Sequence, residues 1–173
     1  MPPLADVIAP DLAVVFCGIN PGLKAAASGH HFAGQGNRFW PVLHRAGFTP
    51  RRLQPENDND LLAYRCGLTT AVARPTARAD QLHQQEFLAA ATTLRQKIEH
   101  YRPRYLAFLG KSAYATLSGQ RQLAWGHQNA LFGGARVWLL PNPSGLNRSF
   151  RLDDLVAAYR ALYLEIAENS LNT

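Results

Sequence analysis

The sequence predicts an α/β fold with a mostly parallel central sheet. Three observations point there: short apolar, β-branched runs recur along the chain, segments of helical periodicity separate them, and glycine or proline marks the junctions. The first run, Leu12 to Cys17, is bounded by Pro10 and Gly18 and reads as a buried strand. It breaks at Gly18-Ile19-Asn20-Pro21-Gly22 into a long loop of small, polar and aromatic residues. Asn37 can then cap a helix carrying Phe39, Trp40, Val42 and Leu43, with Pro41 in the first turn, where a missing N–H is tolerated, and Gly47 at its end. "RRLQPENDND" reads as a solvated connection, Asp60 to Tyr64 as a helical turn or two, and Cys66 to Val72 as a second strand.

Between Gln84 and Tyr101, Phe87, Leu94, Ile98 and Tyr101 recur at helical spacing with polar groups opposite, and Pro103 stops the helix. "RYLAFLG" is a fully apolar strand and "KSAYATL" a short helix. Strand Val137 to Leu140 runs into the turn-rich "PNPSGLNRS", and Leu152 to Ile166 closes the chain as a helix. In such sheets ligands sit beyond the carboxyl ends of the strands, so the loops opening at Gly18 and Asn142 are expected to face one crevice.

The totals bound what this fold can serve. A length of 173 residues suits one domain over 1–173, and 47% hydrophobic residues with three Trp, eight Phe and six Tyr supply a packed interior. A net charge of +6 and a pI near 9.7 suit an anionic partner such as nucleic acid. Only Cys17 and Cys66 are present, without a CxxC pair, so inert buried thiols are expected rather than a zinc or redox centre. "MPPLADVIAP" lacks the charged and apolar regions of a secretory signal, and no run is long and apolar enough to span a bilayer. A cytoplasmic location with no membrane partner is expected.

Several familiar signatures fail on single residues. "GQGNRF" has Phe39 where GxGxxG needs its last glycine, and "GKS" at Gly110 would need a glycine at Tyr105 to complete a phosphate-binding loop. Ser144 lacks the GxSxG elbow of an acyl nucleophile. His30 and His31 have no carboxylate or cysteine at ligand spacing, so neither a metal nor a cofactor is expected.

What remains is "GINPGL" and "NPSGLNR", in that order at two strand ends. These motifs resemble those of the mismatch-specific uracil/thymine-DNA glycosylases, the family of bacterial Mug and eukaryotic thymine-DNA glycosylase. The similarity runs from about Leu12 to Leu162. "GHHFAGQGNRFW" looks closer to the thymine-DNA glycosylase branch, whereas the length and "YRCGLT" look like the compact bacterial branch. The resemblance implies a three-layer α/β/α domain with a short, mostly parallel central sheet. It also implies a base-excision enzyme acting on double-stranded DNA with G·U or G·T mismatches, or ethenocytosine opposite guanine, as a monomer at the bacterial nucleoid.

Such an enzyme must flip the target nucleotide out of the stack before it can cut the glycosidic bond. Asn20 is then the catalytic candidate, its amide oxygen orienting a water below the sugar; the alternative is an Asx turn before Pro21. Backbone N–H groups around Ile19 and Gly22 are candidates for holding the base carbonyls and the anion of the departing base. The resemblance places Phe32 as the stacking face, with a core aromatic as the alternative, and Asn142 at the pocket wall, with a turn cap as the alternative. Leu146, on a glycine-containing tip, suits an apolar wedge that fills the vacated stack. By resemblance Gly145 and Arg148 address the unpaired guanine, with Asn147 beside them, and Ser144 touches a phosphate. Arg148, Arg151 and Lys111 strengthen the backbone grip, solvated surface charge being the alternative for the last two.

The chain also departs from its relatives. Lys24-Ala25-Ala26 stands where some carry small hydroxyl residues, and Ala25 would leave room at the C5 edge of a pyrimidine. Thr70 stands where some have lysine, so no role is assigned to it. No lysine lies in either motif core to form a Schiff base, which suits a monofunctional glycosylase with Lys24 as the formal reservation. The rival reading is a non-catalytic sensor of mismatches or abasic sites that probes DNA with Leu146 and Arg148.

Overall fold

A computed structural model describes residues 3–171. Five strands, β1 (Val14–Gly18), β2 (Cys66–Thr70), β3 (Tyr105–Leu109), β4 (Gly126–Phe132) and β5 (Ala135–Leu140), form one sheet in the order β2-β1-β3-β5-β4. All neighbours pair in parallel except β4, which runs antiparallel to β5. The helices are α1 (Leu23–Ser28), α2 (Phe39–Ala46), α3 (Gln84–Tyr101), α4 (Ser112–Ser118) and α5 (Leu152–Leu171), with a 3₁₀ segment at Pro55–Tyr64.

The inner strands are buried on both faces, and alternate side chains feed two cores. Val14, Phe16, Leu68, Tyr105, Ala107 and Leu140 point to the side where α2 and α5 pack. Val15, Cys17, Leu106, Phe108, Val137 and Leu139 point to the other side, with Leu94 and Ile98 of α3 and Tyr114 of α4. The result is the expected three-layer α/β/α arrangement around a short, mostly parallel sheet. Both cysteines are buried, and burial pushes their thiols up to about 12, which keeps them protonated and unreactive.

Four elements differ from the sequence reading, one of them a 3₁₀ turn at Ala79–Gln81 that buries no residue and so leaves no apolar signal. Strand β4 was missed because HQNALF has no alternation to detect; it is an edge strand whose side chains are mostly solvated and whose pairing is broken by a register shift between His127 and Leu131. Helix α1 lies inside the stretch read as loop, and its six residues are too few for a periodic signal. The 3₁₀ segment takes in Pro55 to Asp60, read as a solvated connection, and buries Asp58 and Leu61. Asn37 lies one residue before the cap position of α2, yet its Oδ1 still accepts the Phe39 N–H at 3.0 Å.

Sheet order places β1 between β2 and β3, so the chain leaves β1 toward one side and returns on the other. The crevice beyond the carboxyl ends of these strands is where an open sheet of this kind binds its ligand.

Candidate active site

The first loop leaves β1 zipped along one side to the segment after β2. The carbonyls of Gly18, Ile19 and Pro21 accept the N–H groups of Ala71, Val72 and Thr76 at 2.8, 3.0 and 3.2 Å. This fixes Asn20. Its Nδ2 donates to the Arg74 carbonyl and to Thr76 Oγ1, both at 2.8 Å. The Thr76 hydroxyl donates its own proton to the Arg78 carbonyl at 2.7 Å, so toward Asn20 it acts only as acceptor. Turning the amide around would set its oxygen against the Arg74 carbonyl oxygen. Oδ1 therefore keeps one orientation, makes no hydrogen bond among the described residues, and belongs to a residue lining a cavity of about 570 Å³. Arg74 is itself held by Glu86 at 2.7 and 2.9 Å. The guanidinium, helped by the His83 N–H, holds the Glu86 carboxyl down at about 2.

An aromatic wall stands across the same cavity. Phe32 has a left-handed backbone, φ 57°, a conformation that costs a non-glycine residue about 1–2 kcal/mol. Its neighbour His31 supplies the restraint. The His31 N–H donates to Asp58 Oδ2 at 3.1 Å, its Nε2 meets the Ala5 carbonyl at 2.8 Å, and its own carbonyl accepts from Trp40 Nε1 at 3.1 Å. Burial lowers the His31 pKa below its usual 6.5, so the ring is neutral with Nε2 as donor. One face of Phe32 stacks on Phe39 at 4.1 Å and 22°, and Phe39 is wedged edge-on against Phe16 and Trp40. Phe32 also lines the cavity.

The second loop leaves β5 at Pro141, whose carbonyl accepts the hydroxyl of the fully buried Tyr159 at 3.0 Å. Asn142 Oδ1 accepts the Ser144 N–H at 2.9 Å, Ser144 Oγ accepts the Leu146 N–H at 3.2 Å, and Asn147 Nδ2 returns to the Asn142 carbonyl at 3.0 Å. The larger restraint comes from Arg38. Its guanidinium donates to the carbonyls of Phe150, Asn147, Ser144 and Pro143 at 2.7, 2.8, 2.9 and 3.4 Å, and its backbone N–H also donates to Pro143. Five fixed donors in a plane match this ring of carbonyls as no lysine could. Gly145 is pressed against the first loop: a β-carbon there would come within 2.8 Å of the Gly36 carbonyl oxygen. Leu146, at the tip, is 65% exposed.

The cavity brings together the predicted catalytic, base-holding and wedge residues, while Lys111 and Arg151 are not part of its lining. Ile19, Asn20, Gly22, Ala25, Phe32, Asn142, Ser144, Gly145 and Leu146 all line it, whereas Asn147 and Arg148 lie just outside, one tying the loop and the other exposed. A β-carbon on Gly22 would meet nothing within 4 Å, so a side chain there would project into open space at the cavity. Asn142 does cap its own turn, the alternative reading for it, and the Ser144 hydroxyl joins that turn, while both still line the cavity. Thr70, given no role, lines it as well.

Thr76 and Arg38 were missed. Their partners lie 56 and 105 to 112 residues away, a distance that no local pattern encodes. The rejected "GQGNR" segment turns out to be the joint between the two loops. Among the described residues no three His, Cys, Asp or Glu side chains converge as a metal site, and no helix is long and apolar enough to cross a membrane.

The family model of the uracil DNA glycosylase superfamily matches residues 5–163, a span that takes in the whole sheet and both loops. The chain belongs to that superfamily. A solution NMR structure of a candidate uracil DNA glycosylase from Methanosarcina acetivorans shares the fold with a TM-score of 0.61 at 18% identity, covering 93% of this chain and 97% of that one. For a uracil DNA glycosylase superfamily member, the β1 and β5 loops sit where an open α/β sheet receives its ligand, and Phe32 and the exposed Leu146 both line the cavity there.

Proposed function

We propose that the chain, 1–173 as a single domain, is a monofunctional DNA glycosylase of the mismatch-specific branch, nearest the compact bacterial Mug type. It would act as a monomer on double-stranded DNA, excising uracil, and also thymine or ethenocytosine, opposite guanine. The observation that carries this reading is the locked amide of Asn20, with Nδ2 engaged twice and Oδ1 without a hydrogen bond among the described residues, on a residue that lines the same cavity as Phe32.

In this reading the flipped base stacks on Phe32, and Ala25 leaves space at its C5 edge. Asn142 and backbone N–H groups near Ile19 and Gly22 address its polar edge. Asn20 Oδ1 accepts a hydrogen bond from a water and holds it against C1′ of the sugar. As the bond from C1′ to the base breaks, its electron pair stays on the base and the water oxygen adds to C1′. An amide oxygen cannot keep the water's proton, which leaves to solvent or to the departing base, so the products are a free base and an abasic site. Leu146 fills the vacated stack, Gly145 and Arg148 face the widowed guanine, and Ser144 and Arg148 meet the phosphates.

A labelled duplex with one G·U pair, incubated with protein and treated with alkali, tests the assignment. Strand cleavage is expected. Asn20→Ala should nearly abolish it while leaving duplex binding intact. Binding without cleavage by the wild type would instead identify a sensor, and turnover of Asn20→Ala within a few-fold of wild type would remove Asn20 from the mechanism.

A further inference from the structure

Beyond the cavity, an aromatic and cationic cluster continues the same edge of the sheet. Trp125 immediately precedes β4, whose first residue Gly126 pairs with Leu139 at the carboxyl end of β5. Lys111 follows the carboxyl end of β3, and Phe150 follows the wedge loop, its carbonyl held by Arg38. The three side chains meet. Lys111 Nζ lies 4.4 Å over the Trp125 ring, and the Phe150 ring meets Trp125 edge-on at 5.5 Å and 89°. Gln128 Nε2 fixes the backbone on both sides of the indole by donating to the Ala124 and Gly126 carbonyls at 2.7 and 3.1 Å.

This construction is open to solvent. Trp125 is 40% exposed, whereas Trp40 and Trp138 are 4% and 9% exposed. Among the described residues Lys111 has no carboxylate partner, and neither its ammonium nor the Trp125 indole N–H makes a hydrogen bond. Two unspent donors on an apolar platform fit a ligand that offers anionic acceptors beside an apolar ring. A phosphodiester joined to deoxyribose has that chemistry, and the wedge loop next to the cluster carries the exposed cation Arg148.

We infer that Trp125, Lys111 and Phe150 form a seat for the DNA backbone next to the wedge, outside the flipped nucleotide. Lys111 takes a phosphate, and the Trp125 and Phe150 rings take the adjoining sugar. The inference rests on the glycosylase reading for its duplex partner. Because the contact touches backbone only, it contributes equally to damaged and undamaged DNA.

Iodide quenching of tryptophan fluorescence tests it directly, since Trp125 is the one well-exposed indole among the described residues. Saturating G·U duplex should remove most of the iodide quenching in wild type, and Trp125→Phe should show little quenching with or without DNA. In Lys111→Gln, affinity for G·U and fully paired duplexes should fall by the same factor. Its loss of affinity between 50 and 200 mM salt should be about 3.5-fold smaller than that of wild type, as expected for one phosphate contact. Bound duplex that leaves iodide access unchanged, or a Lys111→Gln salt dependence equal to wild type, overturns the seat while uracil excision leaves the glycosylase reading standing. Wild type that binds duplex with Trp125 protected but releases no base overturns the glycosylase reading alone. No duplex binding at all overturns both.

Discussion

Asn20 Nδ2 and Thr76 Oγ1 are 2.8 Å apart, and the threonine proton is already committed to the Arg78 carbonyl, so the direction of the bond between them is fixed. Thr76→Val keeps the shape and removes the acceptor. We expect the single-turnover rate of base release to fall about 5- to 10-fold, the worth of one lost hydrogen bond of about 1–1.4 kcal/mol, with duplex affinity unchanged. Thr76→Ser should recover most of the rate, and an equal loss in both variants would show that the hydroxyl does not act through Asn20.

Arg38→Lys keeps the charge and loses the planar fork that bridges four carbonyls. Chemical denaturation should show about 2–3 kcal/mol less stability, because hydrogen bonds to charged groups are worth about 1.5–3 kcal/mol each and an ammonium recovers only part of them. The preference for a G·U duplex over a fully paired one should fall about 10-fold, since the loop tip is then loose. A variant with wild-type preference would confine Arg38 to folding.

Leu146→Ala and Gly145→Ala separate contact from geometry. Leu146 is exposed, so its truncation should change stability by less than about 0.5 kcal/mol while lowering excision from duplex far more than from single-stranded DNA. Gly145→Ala must push the loop off the Gly36 carbonyl, at about 1–3 kcal/mol. It should weaken duplex excision even though every side chain of the site is retained.

His31 makes stability depend on pH in one window. Its folded pKa lies below the usual 6.5 because burial disfavours the charged ring, so the folded chain binds fewer protons than the unfolded one below that pH. The contribution is complete above about pH 6.5 and is lost as pH falls toward the folded pKa, by up to about 1.4 kcal/mol per pH unit. His31→Gln retains a donor for the Ala5 carbonyl but does not titrate. Urea midpoints measured from pH 7.5 to pH 5 should fall less steeply in the variant than in wild type, and parallel profiles would exclude His31 as the source.

The legible parts of the fold were those with a local cause. The apolar runs at Val14–Gly18 and Tyr105–Leu109 and the spacing of Phe87, Leu94 and Ile98 announce buried strands and a one-faced helix within a few residues. Strand β4 has no such signature, because an exposed edge strand is defined by its neighbour rather than by its own side chains. The site divides in the same way. Asn20 and Leu146 stand out through the Pro and Gly residues that shape their turns, whereas Thr76, Arg38 and Trp125 gain meaning only from groups brought near by folding. Arg38 illustrates the limit: beside a failed glycine motif it reads as an ordinary basic residue, and only its four distant carbonyls reveal its place.

The arginine brace bears on how damage would be sensed. A fingertip pinned at four points resists bending when pressed into a helix, so deformation passes to the softer body, the duplex. Well-stacked pairs would spring back and expel the intruder, while a wobble pair would yield first. Recognition in that case begins as a contest of compliance, settled before any atom of the base has been inspected.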